Sequence, residues 1–139
     1  MLLADASFFL AVANPADRFH AQAVRALEAI DEGLVTTWPV LAELSHLLAA
    51  RLGVSAQLRV LGGAKLMGLR YIDLRGEHWP RLLQLMRKYA DLPMDLADAS
   101  LVLAAEELGE GRILSTDQRD FGVYRWKNRK PFRNLLTEA

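Results

Sequence analysis

The chain has no cysteine among its 139 residues. That excludes disulfides and thiolate-built zinc sites, and it fits a reducing cytoplasmic setting. Nor is there an apolar run of the roughly 18 residues needed to cross a bilayer, so no membrane partner is expected. The N-terminal stretch "MLLADASFFLAVA" lacks a basic segment and carries Asp5 within its apolar residues, so it does not read as a secretion signal. Excess charge is missing as well: 17 Lys and Arg offset 17 Asp and Glu. This excludes a wholesale polycation that coats nucleic acid and leaves room for a local basic patch. Repeats, low-complexity tracts and linkers are also absent, and the length suits one domain over residues 1–139.

What is present is an alternation of short apolar strands and helices. "MLLAD" reads as a buried strand and "ASFFLAVA" as the helix after it. "NPAD" is a turn, with Asp17 expected to cap an amphipathic helix over 18–31. "GLVTT" (33–37) is a second strand, and Pro39 in a first helical turn starts a helix through about Leu52. A helix over 55–69, weakened by Gly62 and Gly63, leads to a third strand, "RYIDL". Helices over 77–90 and 95–109 flank the turn "DLPM". "RILST" is a fourth strand and "DQRDFGVY" a polar loop. The tail "RWKNRKPFRNLL" is expected to hold a fifth, edge strand. Such alternation points to an α/β domain with a mainly parallel sheet.

Within this frame the acids fall in telling places. Asp5 ends the first strand and Asp117 follows the fourth, and parallel sheets gather their sites outside strand carboxyl ends. Glu43 lies three residues from Val40 and four from Leu47, inside the apolar stripe of its helix. Asp98 stands three, four and seven residues before Leu101, Val102 and Ala105, so it also shares a buried face. Taken singly, each has an ordinary reading: Asp5 a turn-forming or capping residue and Asp95 a helix cap, Glu43 a solvated acid tilted to the edge of its stripe, Asp98 an acid favoured by the helix dipole, Asp117 and Asp120 turn residues. Jointly, isolated carboxylates on apolar faces are costly unless paired or bound to metal. Two unit charges about 4 Å apart repel by roughly 4 kcal/mol at an effective dielectric of 20. Converging acids would therefore protonate in part or hold a divalent cation, and oxygen ligands favour magnesium or manganese over zinc.

The basic residues gather at the other end of the chain. Arg119, Arg125, Lys127, Arg129, Lys130 and Arg133 interleave with Phe121, Tyr124, Trp126 and Phe132. Such a segment can grip phosphates and stack unpaired bases, or it can be a solvated surface over packed aromatics. Helices 38–52 and 55–69 are rich in Leu and Ala, which suits intrachain core, a dimer seam or a groove for a partner helix.

"LLADASFFLAV", "VTTWPVLAELSHLL", "MDLADASLVLAAEELG" and "ILSTDQRDF" resemble, in order and spacing, the four motifs of PIN-domain ribonucleases. The chain is most similar to the VapC-type toxins of bacterial toxin–antitoxin pairs, over about residues 2–122. The resemblance implies a PIN-like three-layer α/β/α domain, with a central mainly parallel sheet and the acids at its carboxyl edge. It implies an endoribonuclease using Mg²⁺ or Mn²⁺ held by Asp5, Glu43, Asp98 and Asp117. Asp5 and Asp98 are then expected to ligate directly, Asp117 directly or through water, and Glu43 at a second site or by orienting water. Asp120 matches an additional acid, Thr116 a hydroxyl that could position phosphate or water, and Asp95 a polar position outside the primary ligands. An RNA substrate, a cognate antitoxin, a homodimer and a cytoplasmic setting follow from the same likeness. His20, in "FHAQAV", reads as packing or capping rather than catalytic. The tail departs from the pattern, with "VYRWKNRKPF" where a hydrophobic strand is usual.

Other readings remain open on sequence alone. One is a PIN-like RNA- or protein-binding module with little turnover, acting within a complex. A phosphatase of the haloacid dehalogenase type would need a second Asp two residues after Asp5, where "DAS" has Ser7. A glycosidase would need two carboxylates and no metal.

Overall fold

The computed structural model describes residues 1–66 and 68–137. The chain runs β1 (Leu2–Ala4), α1 (Ala6–Ala13), α2 (His20–Ala29), β2 (Leu34–Thr37), α3 (Trp38–Leu52), α4 (Val54–Leu66) and β3 (Arg70–Ile72). A 3₁₀ turn (Gly76–His78) leads into α5 (Trp79–Lys88), α6 (Leu96–Leu108), β4 (Arg112–Leu114) and α7 (Gln118–Val123). Three two-residue strands follow: β5 (Arg125–Trp126), β6 (Lys130–Pro131) and β7 (Arg133–Asn134).

Five strands form one parallel sheet in the order β3-β2-β1-β4-β7. The chain moves outward from β1 through β2 to β3, then returns across the sheet to β4. Right-handed crossovers between parallel strands therefore place helices on both faces. The return also makes a switch point between β1 and β4, where the loops leaving two adjacent strands part in opposite directions. Asp5 and Asp117 follow those two strands.

The core explains why α6 carries little polar patterning. Ala97 and every residue from Ala99 to Ala105 are buried, Ser100 included. A helix enclosed on all sides has no solvent face to mark. Ser100 fits there because its hydroxyl meets Ala97 O at 2.6 Å and Thr37 Oγ1 at 2.5 Å, which ties the first turns of α6 and α3 together. Gly109, at φ +65°, closes the helix in the left-handed conformation that glycine adopts without strain.

Several elements differ from the sequence expectation. Helix α2 starts at His20 rather than 18. Asp17 Oδ1 accepts from Phe19 N at 2.8 Å in a local turn and caps no helix. The helix expected over 55–69 is described to Leu66; Met67 lies outside the described residues, and Gly68 turns the chain at φ +71°. The expected loop "DQRDFGVY" holds α7, because Asp117 caps it by accepting from Asp120 N at 3.0 Å. In the tail, β7 is the fifth, edge strand of the main sheet, while β5 and β6 form a separate antiparallel hairpin. Lys127 and Asn128 turn that hairpin with φ of 51° and 61°.

Candidate active site

Asp5 is built in from both sides of the switch point. It caps α1 by accepting from Phe8 N at 3.1 Å, and its Oδ1 also takes the Ser7 hydroxyl at 2.5 Å. Its Oδ2 takes the Ser115 hydroxyl at 2.6 Å. Each hydroxyl accepts in turn: Ser7 Oγ from Thr116 N and Ser115 Oγ from Asp117 N, both at 2.9 Å. Asn134 on β7 then brackets Ser115, accepting from its N–H at 3.2 Å and donating to its carbonyl at 2.8 Å. The loops after β1 and β4 are thus stitched together. Burial raises the Asp5 pKa, the bonds from Ser115, Ser7 and Phe8 oppose the rise, and the nearby Asp117 charge adds to it.

Five more acids line the same cleft of about 280 Å³: Glu43 from α3, Asp95 and Asp98 from the start of α6, Asp117, and Asp120 from α7. Asp95 caps α6, accepting from Asp98 N at 2.8 Å. Asp98 Oδ2 receives the Tyr124 hydroxyl at 2.8 Å. That tyrosine is fully buried and locked edge-on between Tyr89 and Phe121, at centroid distances of 5.0 and 5.2 Å.

The electrostatics follow from this crowding. Burial pushes Asp98 up to about 7; the Tyr124 bond opposes this, and the charges of Asp95, Asp5 and Glu43 reinforce it. Glu43 is open to solvent at the cleft mouth. Loss of hydration on its cleft side, then the charges of Asp95 and Asp5, still push it up to about 7. Water on its open side weakens that effect relative to Asp98. Burial and then Asp117 raise Asp120, with Arg119 pulling the other way. No histidine or lysine lines the cleft among the described residues.

The donor set fits a hard cation. All six acids offer oxygen, which suits Mg²⁺ or Mn²⁺. As they stand, no three of the described acidic or histidine side chains close on one point. Mg²⁺ commonly keeps several waters and takes one or two carboxylates with substrate phosphates, so full closure is not required for a fit.

Among the described residues none of the basic residues expected to grip RNA lines this cleft, although Arg119 stands next to Asp120 at its edge. Arg125 donates to the carbonyls of Gly122, Val123 and Tyr124 at the end of α7. The hairpin tip is pinned by Lys127 N to Glu106 Oε2 at 2.6 Å, and Glu106 also takes a two-pronged bond from Arg81. Glu106 is eight residues beyond Asp98 on α6, about 12 Å along the axis. Lys127 and Lys130 hold their ammonium groups 5.7 and 4.8 Å from the Trp126 ring centroid. Arg119, Arg129 and Arg133 are exposed on α7, the hairpin and β7. The base-stacking expectation is corrected for Phe121, Tyr124 and Trp126. All three are buried, 2%, 0% and 7% exposed, because they pack the underside of α7 and the hairpin. His20 hydrogen-bonds Ala11 O through Nδ1 at 2.7 Å, tying α2 to α1. Thr116 meets the site through its backbone N–H.

Four residues of the assembly carried little signal in the sequence. Ser7 drew notice only as the missing second Asp, and Tyr124 only as a base-stacking aromatic. Ser115 and Asn134 looked like ordinary strand and tail residues. A serine two residues from each strand-end acid, Ser7 after Asp5 and Ser115 before Asp117, was the available clue.

The profile of the PIN domain matches residues 2–127. Over 128 residues the chain is 30% identical to Ribonuclease VapC26 of Mycobacterium tuberculosis (strain ATCC 25618 / H37Rv), covering 89% of this chain and 92% of that relative. Its fold is similar to the crystal structure of Mycobacterium tuberculosis VapC20, described as a sarcin–ricin loop cleaving toxin. The TM-score is 0.78 over 86% of this chain and 92% of that one, at 19% identity. With a parallel sheet flanked by helices and acids at its switch point, the chain belongs to the PIN-domain family and is of the VapC type.

Proposed function

We propose that this chain is a Mg²⁺-dependent endoribonuclease, with Mn²⁺ able to substitute, that hydrolyses RNA phosphodiester bonds as the toxin of a type II toxin–antitoxin pair. The observation that carries this reading is the set of six carboxylates lining one cleft, two of them pushed up to about 7. The cation, when bound, supplies an activated water and neutralises charge on the phosphoryl group and the leaving oxygen.

The chain's own residues set the geometry. Asp5 is fixed in one orientation by Ser7, Ser115 and Phe8 N. Asp98 is held through Oδ2 by Tyr124, and its Oδ1 has no hydrogen bond among the described residues. We assign Asp5 and Asp98 as ligands, Asp117 as a ligand directly or through water, and Glu43, at the mouth, as a holder and orienter of water. Asp120 and Asp95 add charge. With no histidine lining the cleft among the described residues, carboxylates carry the proton transfers.

Two surfaces support the partners. An apolar groove of about 230 Å³ between α1, α3 and α4, lined by Phe9, Leu41, Leu44 and Leu61, suits an antitoxin helix. Trp38, Tyr71 and Trp79 are each about half exposed, as expected of a face covered in a homodimer. The setting that goes with this reading is cytoplasmic.

The test is cleavage of labelled RNA, a sarcin–ricin loop hairpin among the substrates, by purified protein with Mg²⁺ and with EDTA. Cleavage is expected only with the cation and is expected to vanish in Asp5→Asn. Equal cleavage by that variant, or cleavage surviving EDTA, overturns the reading. The open spacing of the carboxylates favours one second reading, a weakly active RNA-binding module. RNA binding without turnover in this assay would select it.

A further inference from the structure

The cleft extends beyond its acids. Its wall along α3 is one helical stripe of Val40, Glu43, Leu47 and Arg51, spaced three or four residues apart as a single face requires. Arg51 sits in the last turn of α3, exposed, with no hydrogen-bond or ion-pair partner among the described residues. It is the one basic side chain lining the cleft among those residues.

Eight residues of helix separate Arg51 from Glu43, about 12 Å along the axis. Helical side chains lean toward the N-terminus, and Arg51 lines the same cleft as the acids. A cation near a helix C-terminus is favoured by the macrodipole, yet that effect does not require the cleft-lining face. The end of α3 is already closed by Gly53 N–H on the carbonyls of Leu48 and Ala49. The fold leaves this charge unspent.

An acidic cleft repels a polyanion, and no cation of the tail lines it among the described residues. We propose that Arg51 binds a phosphate of the RNA strand on a nucleotide flanking the one cut, so that the strand lies along α3. This rests on the nuclease reading. The planar guanidinium matches two phosphate oxygens at once, and its origin two helical turns beyond Glu43 sets it toward one end of the cleft wall.

The experiment is fluorescence anisotropy with the full chain and a fluorescein-labelled single-stranded RNA of about 20 nucleotides. Ca²⁺ replaces Mg²⁺, and salt is varied between about 50 and 200 mM. Arg51→Met is expected to weaken binding about tenfold and to lower the salt slope by about 1. Its Mn²⁺ affinity and melting temperature should match those of the wild type. Arg51→Lys should restore most of the slope, and Arg25→Met, an exposed cation that does not line the cleft, should leave it alone. Wild-type binding and slope in Arg51→Met overturn the proposal. So does an unchanged slope with altered Mn²⁺ affinity, which would make Arg51 a partner of the acids. If the slope falls while the wild type never cleaves RNA, the phosphate contact stands and the nuclease reading falls.

Discussion

Replacing Asp98 with Asn should make the cation-free protein more stable at pH 8, less than half as much so at pH 5, and nearly unchanged near pH 3. In the folded chain the Asp98 carboxyl is pushed from its ordinary 3.8 up to about 7, mainly by burial. The folded state therefore holds the proton more tightly than the unfolded state. That contribution is fully present below the ordinary value and is lost as pH rises through about 7. The gap between 3.8 and about 7 is worth at most about 4 kcal/mol. Glu43 and Asp5 titrate against the same charge, so about 2 kcal/mol is the expected gain for the variant above pH 7. For a chain of this size that is about 6 °C in melting temperature. An amide can still accept the Tyr124 hydroxyl, so the packing at 2.8 Å need not change. The assay is thermal unfolding in EDTA at several pH values, wild type against Asp98→Asn. A difference that does not vary with pH, or a variant less stable at pH 8, would refute the reasoning.

Other substitutions probe the supports of the site. Tyr124→Phe removes the buried donor to Asp98. Lost outer supports of a ligand typically cost 10- to 100-fold in metal affinity, so calorimetric titration with Mn²⁺ should show a fall of about tenfold or more. Gly111→Ala puts a methyl group 2.5 Å from Trp126 Nε1. The hairpin must shift, and urea unfolding should show a loss of about 1–3 kcal/mol, with Mn²⁺ affinity retained because Gly111 follows the C-terminal end of α6 while Asp95 and Asp98 stand at its start.

Much of this arrangement is legible from periodicity. Asp98 betrays itself by its place on an apolar face, and Asp5 and Asp117 by following apolar strands, because helix and strand repeats fix which way a side chain points. Glu43, expected inside the buried stripe of α3, lies instead at its solvent-exposed edge. The mainly parallel sheet follows from the alternation of elements, but its strand order and switch point do not. What escapes is whatever depends on contacts far apart in sequence. Asn134 brackets Ser115 across 19 residues, and Ser115 reaches Asp5 across 110; no local pattern announces either. Helix α7 is six residues long with Gly122 inside it, too short to show a repeat. The tail's aromatics alternate with cations as a nucleic-acid surface would. Strand pairing sends Trp126 inward against Gly111 instead, and its cations stay on the outside. Asp17 has the look of a helix cap, but its side chain satisfies Phe19 N two residues on, and the helix begins later.

In the proposed nuclease the carboxylates of one cleft act together on a divalent cation. The direct measurement is calorimetric titration of the purified chain with Mn²⁺ at neutral pH, beside Asp5→Asn and Asp98→Asn. Saturable uptake by the wild type that either single neutralisation abolishes or sharply weakens is the predicted result. No uptake by the wild type, or equal uptake by all three proteins, would contradict it.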